Sequence, residues 1–519
     1  MTIISQIEQA LDKNDLQVAY DLCSKALRRN SQPALLKIMS EIFLRSGEYF
    51  AAGNALLKYI DDFGFEPDVA LDCASAFQIS SQNQITVIRL CRRSLAYKEN
   101  LSQSNLNKLA TMLMQHDLLD EAFEVLSFIC EVYPSNIDSM HLLATCHKFL
   151  GDFKNCEHWI RKVLEQNSAH SLSYSNLASL PGQRFTEDDE VKVLEVLSNF
   201  PKGADTQPLH HALYQYYENQ NKYSEAFHHL QKANHEEKIQ IGEIRTNLKG
   251  SYENAIRLFD ILPSNKSFQL SKTRSPIFVV GLPRTGTTLT ARLLSGHPDV
   301  IDAGERPFLT QCLAPMLKKT GAMPLSLQLS SSPLKSMIDG YVDIVQELAG
   351  SSIHFVDQKP TNYTLIGFIK LLMPNATVIE VVREPMDTCF SNYRQFFNRA
   401  VSGLHYTCDL NEIVTHFIHY KNLMDFWHNK FPGGIYKLNY EDLVKNTIKE
   451  TELLYKHCGL DFKTEYVKIE NLKSGVSTAS ATQLREPVHS KYINRWKNYN
   501  SFLASTHKKV SETFGKETL

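Results

Sequence analysis

The sequence lacks any apolar run near the ~20 residues that a membrane-spanning helix needs. It lacks a charge excess as well. Against 57 Asp+Glu stand 55 Lys+Arg, a net charge of -2, so no overall field favours nucleic acid or acidic lipid. No CxxC pair occurs among the ten scattered cysteines, which argues against a disulfide framework or a metal centre and for buried thiols in a reducing compartment. The first residues, MTIISQIEQALDKNDL, carry neither a basic n-region nor an apolar h-region, so the expected location is cytoplasmic. The remaining absence is chemical. Gly281 and Gly286 stand at the spacing of a Walker phosphate-binding loop, but Thr287 holds the place of the lysine.

What is present starts from that loop. A short apolar strand, Ile277 to Val280, runs into GLPRTGTT, and a helix follows. Backbone N–H groups at such a helix start cradle a phosphate-like group. The positive charge sits inside the loop, on Arg284, and no lysine is available for the β- and γ-phosphates of a nucleoside triphosphate. The pattern predicts a nucleotide-borne anion other than ATP. With 519 residues and 43% apolar content, the chain has room for two or more domains.

The first half repeats. Small or short residues early in successive amphipathic helices fall at Ala52, Val87, Ala122, Cys156, Val191 and Ala226, which are 35, 35, 34, 35 and 35 residues apart. Turns at Gly47, Asp117, Gly151 and Asn221 open several of these units, and Ala19 marks a less regular one. The period is that of the tetratricopeptide repeat, a helix–turn–helix unit. Residues 1–235 are therefore expected to form an all-α solenoid of six or seven repeats. Such a stack either binds an extended peptide or helix on its concave face or serves only as a scaffold. Residues 236–275 read as a helical junction, and residues 276–519 as a second domain.

In that second domain strands alternate with helices, which predicts a parallel α/β sheet. Glu305 lies in a loop shortly after the anion loop, as a solvated carboxylate or a general base. A strand ending in VDQKP puts Lys359 where α/β sheets place ligand-contacting groups. Asp357 in that run has a Walker-B reading as a magnesium ligand. The strand Thr377 to Val382 places Arg383 at its carboxyl end, with Ser391 two helical turns on. Arg383 and Ser391 either bracket a second phosphate or cap the sheet and occupy a polar face. Near the end, TASATQLREPVHSKYINRWKNY reads as a polar, basic and aromatic loop that closes over something.

PRTGTT followed by VVREPMDTCFSNYRQ resembles the sulfotransferases that use 3′-phosphoadenosine 5′-phosphosulfate (PAPS). More closely, the chain is similar to the bacterial class with tetratricopeptide repeats ahead of a domain like the tyrosylprotein sulfotransferases. The resemblance implies an α plus P-loop-type α/β fold. It implies that Pro283, Arg284, Thr285, Gly286, Thr287 and Thr288 bind the 5′-phosphosulfate and that Arg383 and Ser391 bind the 3′-phosphate. Tyr440 matches an aromatic near the adenosine, and Arg485 is a further phosphate contact. Glu305 matches the base on the acceptor hydroxyl and Ser480 a serine near the bridging oxygen, while Lys359, displaced by one residue, substitutes for the lysine on the leaving phosphate. No metal is implied. A peptide or protein tyrosine, a glycan, a lipid and a metabolite all stand as acceptors, and a homodimer is expected. The family reads Asp-Lys-x-Pro where this chain reads Asp357-Gln358-Lys359-Pro360, which leaves open an adaptor that binds the product PAP without turnover.

Overall fold

The computed structural model describes residues 2–80, 82–201, 203–242, 248–260, 276–319, 339–343, 345, 354–397, 403–472, 475 and 482–515. By compactness the chain divides into two units, Met1–Cys146 and His147–Leu519.

The first unit is helical repeat. The helices Ile3–Asp12, Leu16–Arg29, Pro33–Arg45 and Tyr49–Phe63 pack each against the next, and further pairs follow. The turn inside each pair needs one left-handed residue, which Asn14, Gly47 and Asp117 supply. The following N–H then closes back on the helix it leaves, as Glu48 does on the Phe43 carbonyl at 2.8 Å and Leu118 on that of Leu113 at 2.9 Å. The same device recurs in the second unit at Gly151 and Asn221.

Ala19, Ala52, Val87, Ala122, Cys156 and Ala226 are fully buried, as the repeat period requires. Val191 is a correction, being 60% exposed, while Val193 is the buried residue of its helix. The cause is local. Thr186 and Asp189 form a reciprocal capping box that starts the helix at Glu187, and this register turns Val191 outward.

The second unit holds a five-stranded sheet of β1 (Pro276–Val280), β2 (Val300–Asp302), β3 (His354–Asp357), β4 (Thr377–Val382) and β5 (Tyr436–Asn439). All neighbours pair in parallel in the order β2-β3-β1-β4-β5, as expected. β1 is central and buried along its whole length. Because the chain continues to opposite sides of β1, the crevice at its carboxyl end is the switch point where such sheets bind ligands. β2 was not foreseen. Its three residues become a strand by pairing Val300 with His354, Ile301 with Phe355 and Asp302 with Val356.

One face of the sheet packs Ile277, Val279, Ile379 and Val381 on Leu293, Leu454 and Tyr455. A second core joins the last repeat pair, through Tyr214, Phe227 and Leu230, to Met386, Phe390, Tyr499 and Leu503. All ten cysteines are free thiols, seven of them buried. No described helix is long and apolar enough to cross a membrane.

Four histidines in this unit, His211 and His416 buried and His210 and His229 half-buried, stay neutral at neutral pH. Burial holds His210, His211 and His229 down at about 4 and His416 at about 3, against an ordinary 6.5. Unfolding lets these rings protonate, so their contribution is complete above pH 6.5 and is lost as pH falls towards 4. We expect the unfolding free energy, measured in urea, to fall across that window with an uptake of about two or more protons. A flat profile there would contradict the assignment.

Candidate active site

The turn after β1 is built for close approach. A Cβ on Gly281 would lie 2.7 Å from the Val381 carbonyl oxygen, and one on Gly286 2.6 Å from Cδ2 of Tyr440. Gly286 also has φ 107°, in the region that favours glycine. Between them Arg284 takes φ 71°, uncommon for a side-chain-bearing residue. Neighbours hold it there. Arg383 Nη1 donates to the Arg284 carbonyl at 3.1 Å, and buried Asn392 donates to that of Pro283 at 2.8 Å. Thr285, Thr287 and Thr288 are buried, and Thr287 begins the helix Thr287–Leu294.

β4 supplies the other wall. Arg383 follows its last residue, and Pro385 sits in the first turn of the helix Pro385–Tyr393, whose N-cap Glu384 accepts from the N–H groups of Met386 and Asp387. Ser391 thereby comes 3.4 Å from Arg284 Nε. Arg383 Nη2 donates to the Tyr492 carbonyl at 2.6 Å and pairs with Asp387 at 3.7 Å. Its guanidinium lies over the Tyr440 ring, 4.6 Å from the centroid. Its buried Nε has no partner among the described residues.

Arg284, Arg383, Ser391 and Tyr440 thus line one cavity of about 320 Å³, part of it open to solvent. Sequence reading missed Asp387, Phe390, Arg394, Gln483, Tyr492 and Arg495, which line it too. Arg394 caps the carboxyl end of the helix that carries Ser391, and Gln483, Tyr492 and Arg495 belong to the stretch flagged as a closing loop. The charge is lopsided. Burial, with the charges of Arg394 and Arg383, lowers the Arg284 guanidinium to about 10. A site that makes an arginine's own charge costly is one that an incoming anion stabilises.

A second cluster forms where β2 and β3 end. Gln358, 2% exposed, donates Nε2 to both Asp302 oxygens at 3.1 and 3.0 Å, and its N–H continues the ladder to the Gly304 carbonyl at 3.2 Å. Lys359 is half-buried. Burial lowers its pKa, and the carboxylates of Glu305 and Asp357 oppose that shift. Glu305 itself is exposed. Asp357 is occupied internally, accepting from Tyr341 at 2.8 Å, the Lys359 N–H at 3.1 Å and Asn362 at 2.9 Å. Burial pushes its carboxyl up to about 6. The two clusters meet where the Gly281 N–H reaches the Pro360 carbonyl at 3.4 Å.

Arg485 lies apart from the cavity lining and donates to the backbone carbonyls of Leu472 at 3.1 Å and Phe149 at 2.8 Å. Ser480 falls outside the described residues.

With this geometry in place, similarity narrows the reading. The model of the sulfotransferase family matches residues 276–464, which include the loop, Arg383, Ser391 and Tyr440. Over those residues the chain is similar to the sulfotransferase family. An uncharacterized protein of Aquifex aeolicus is 25% identical over 93% of this chain, and the chain spans 66% of that relative's length. A putative protein-tyrosine sulfotransferase of Caenorhabditis briggsae is 22% identical over 47% of this chain and 87% of its own. Among solved structures, the sulfotransferase domain of a Synechococcus olefin synthase aligns over 48% of this chain and 98% of its own, with 16% identity and a TM-score of 0.33.

The anion loop depends on Gly286 for room. Gly286→Ala must move Tyr440 and adopt a strained φ, so a loss of about 1–3 kcal/mol in thermal or urea unfolding is expected. An alanine variant as stable as the parent would show that the loop and Tyr440 are not locked together.

Proposed function

We propose that the chain transfers a sulfuryl group from PAPS to an acceptor hydroxyl. The observation that carries this is the convergence of Arg284, Arg383, Ser391 and Tyr440 on one arginine-lined cavity at the carboxyl ends of β1 and β4, inside a sulfotransferase-family segment. The fit to the donor's 3′-phosphate rests on the unpartnered buried Nε of Arg383 and on the crowding that lowers Arg284. Arg383 and Ser391 hold that phosphate, Tyr440 stacks near the adenine, and the Arg284–Thr288 turn receives the 5′-phosphosulfate.

The chemistry then falls to the second cluster. Glu305 takes the proton of the acceptor hydroxyl. The oxygen–sulfur bond forms as the bond from sulfur to the donor's bridging oxygen breaks, and PAP leaves with the electron pair. Lys359 and the loop N–H groups stabilise the charge gathering on the departing phosphate. Fixed donors of this kind need no rearrangement at the moment of transfer. The relatives named as protein-tyrosine sulfotransferases support a peptide or protein hydroxyl as acceptor, presented by the repeats. Gln358 at the family's lysine position favours one second reading, an adaptor that binds PAP without turnover.

A thermal-shift titration separates these. PAP at about 100 times its Kd should add roughly 2.7 kcal/mol of stability, with no shift from ATP and magnesium. Arg383→Ala should abolish the PAP shift. Glu305→Gln should keep PAP affinity and lower sulfuryl transfer, followed by mass spectrometry across an acceptor panel, about 100-fold or more. No shift with PAP sinks the donor site. Binding without transfer to any acceptor supports the adaptor.

A further inference from the structure

Arg394 and Arg495 line the cavity, yet neither was singled out in the sequence, although Arg394 lies within the VVREPMDTCFSNYRQ run and Arg495 in the late basic stretch. Both are held from behind by one residue of the last repeat pair. Glu218 lies on the helix Gln207–Asn219, and its side chain is 5% exposed. Its Oε2 is 2.9 Å from Arg394 Nη2 and 2.7 Å from Arg495 Nη2. Its Oε1 accepts from Arg495 Nε at 3.1 Å and from Tyr499 at 3.0 Å. Tyr214, one turn earlier on the same helix, accepts from Arg394 Nε at 2.5 Å. His211 on that helix meets the Arg394 carbonyl at 3.2 Å. One repeat helix therefore fixes the side chain and the backbone of Arg394 together with the side chain of Arg495.

We propose that Glu218 is a positioning residue of the anion cavity, so that the last repeat is a working part of the donor site. Two long guanidinium side chains left to themselves would splay apart and into water, because their charges repel each other and those of Arg284 and Arg383. Glu218 cancels one of these charges and fixes the fork of each guanidinium, leaving the opposite edges to an anion. Burial alone would favour a protonated Glu218, but the two guanidinium charges outweigh it and keep the carboxyl below its ordinary value. Any anion that orders these arginines from the cavity side must then tighten the repeat helix from the other, since such coupling is reciprocal.

The identity of that anion as a 3′-phosphate rests on the donor reading above; the role of Glu218 does not. Calorimetric binding of PAP, adenosine 5′-phosphate and inorganic phosphate to the full chain tests the two separately. For Glu218→Gln, PAP affinity should drop about 5-fold or more. Adenosine 5′-phosphate, which lacks the 3′-phosphate, should bind as to the parent, and Glu218→Asp should recover part of the loss. Unchanged PAP affinity in Glu218→Gln overturns the proposal. If the parent binds phosphate but not PAP, the donor reading fails and the same comparison is made with phosphate. If it binds neither, both fail. Should Glu218→Gln not fold, hydrogen exchange on the parent decides. Added PAP, or phosphate where PAP does not bind, should protect amides of residues 207–219, and an unchanged exchange rate there overturns the proposal.

Discussion

Four guanidinium groups share one cavity, and the fold has to hold them against their mutual repulsion. At an effective dielectric of about 20, two like charges roughly 4 Å apart repel by about 4 kcal/mol, a large part of a domain's net stability. The structure meets this with anchors on each of three guanidinium groups. Arg383 is tied to the Arg284 and Tyr492 carbonyls and to Asp387. Arg394 and Arg495 share Glu218. A buried triad of this kind is a poor stabiliser, because desolvation offsets its attraction. Its value here is geometric. It sets where positive charge stands before any ligand arrives, which is the condition for electrostatic binding without reorganisation.

The same logic separates the two ends of the crevice. The β1–β4 side carries four guanidinium groups, offset by Asp387 on Arg383 and by Glu218 behind Arg394 and Arg495. The β2–β3 side mixes signs, with Asp302, Glu305 and Asp357 around a half-buried Lys359. Gln358 takes no part in that field as an ion. Its amide is spent on Asp302, which also accepts from the Gly304 N–H at 2.8 Å. A lysine at 358 would pair with Asp302 directly. With glutamine there, the only cation that this turn offers the crevice among the described residues is Lys359, one position further along.

Much of this was legible in the sequence where local chemistry dictates local structure. The apolar run ahead of Gly281, the pair Arg383 and Ser391, and the repeat period all report short-range constraints, and the strands, the cavity and the helix pairs follow them. What escaped depends on partners far along the chain. β2 is a strand only because β3 lies beside it. Val191 looked right by period, but a capping box decided the register. Glu218 meets Arg394 across 176 residues and Arg495 across 277, separations at which no spacing rule operates. The resemblance implies Arg485 as a phosphate contact, whereas its guanidinium goes to the Phe149 and Leu472 carbonyls.

These long-range contacts change what the repeats are for. Repeat arrays are ordinarily separable, because each unit touches only its neighbours. Here the chain divides by compactness after Cys146, which leaves the later repeat helices in the same unit as the sheet. Tyr214, Phe227 and Leu230 lie in one core with Phe390 and Tyr499, residues on either side of the cavity's arginines. A core built in common cannot be loosened on one side alone, since close-packed interiors transmit strain rather than absorb it. Whatever engages the last repeats therefore acts on the arginine cavity through packing as well as through Glu218.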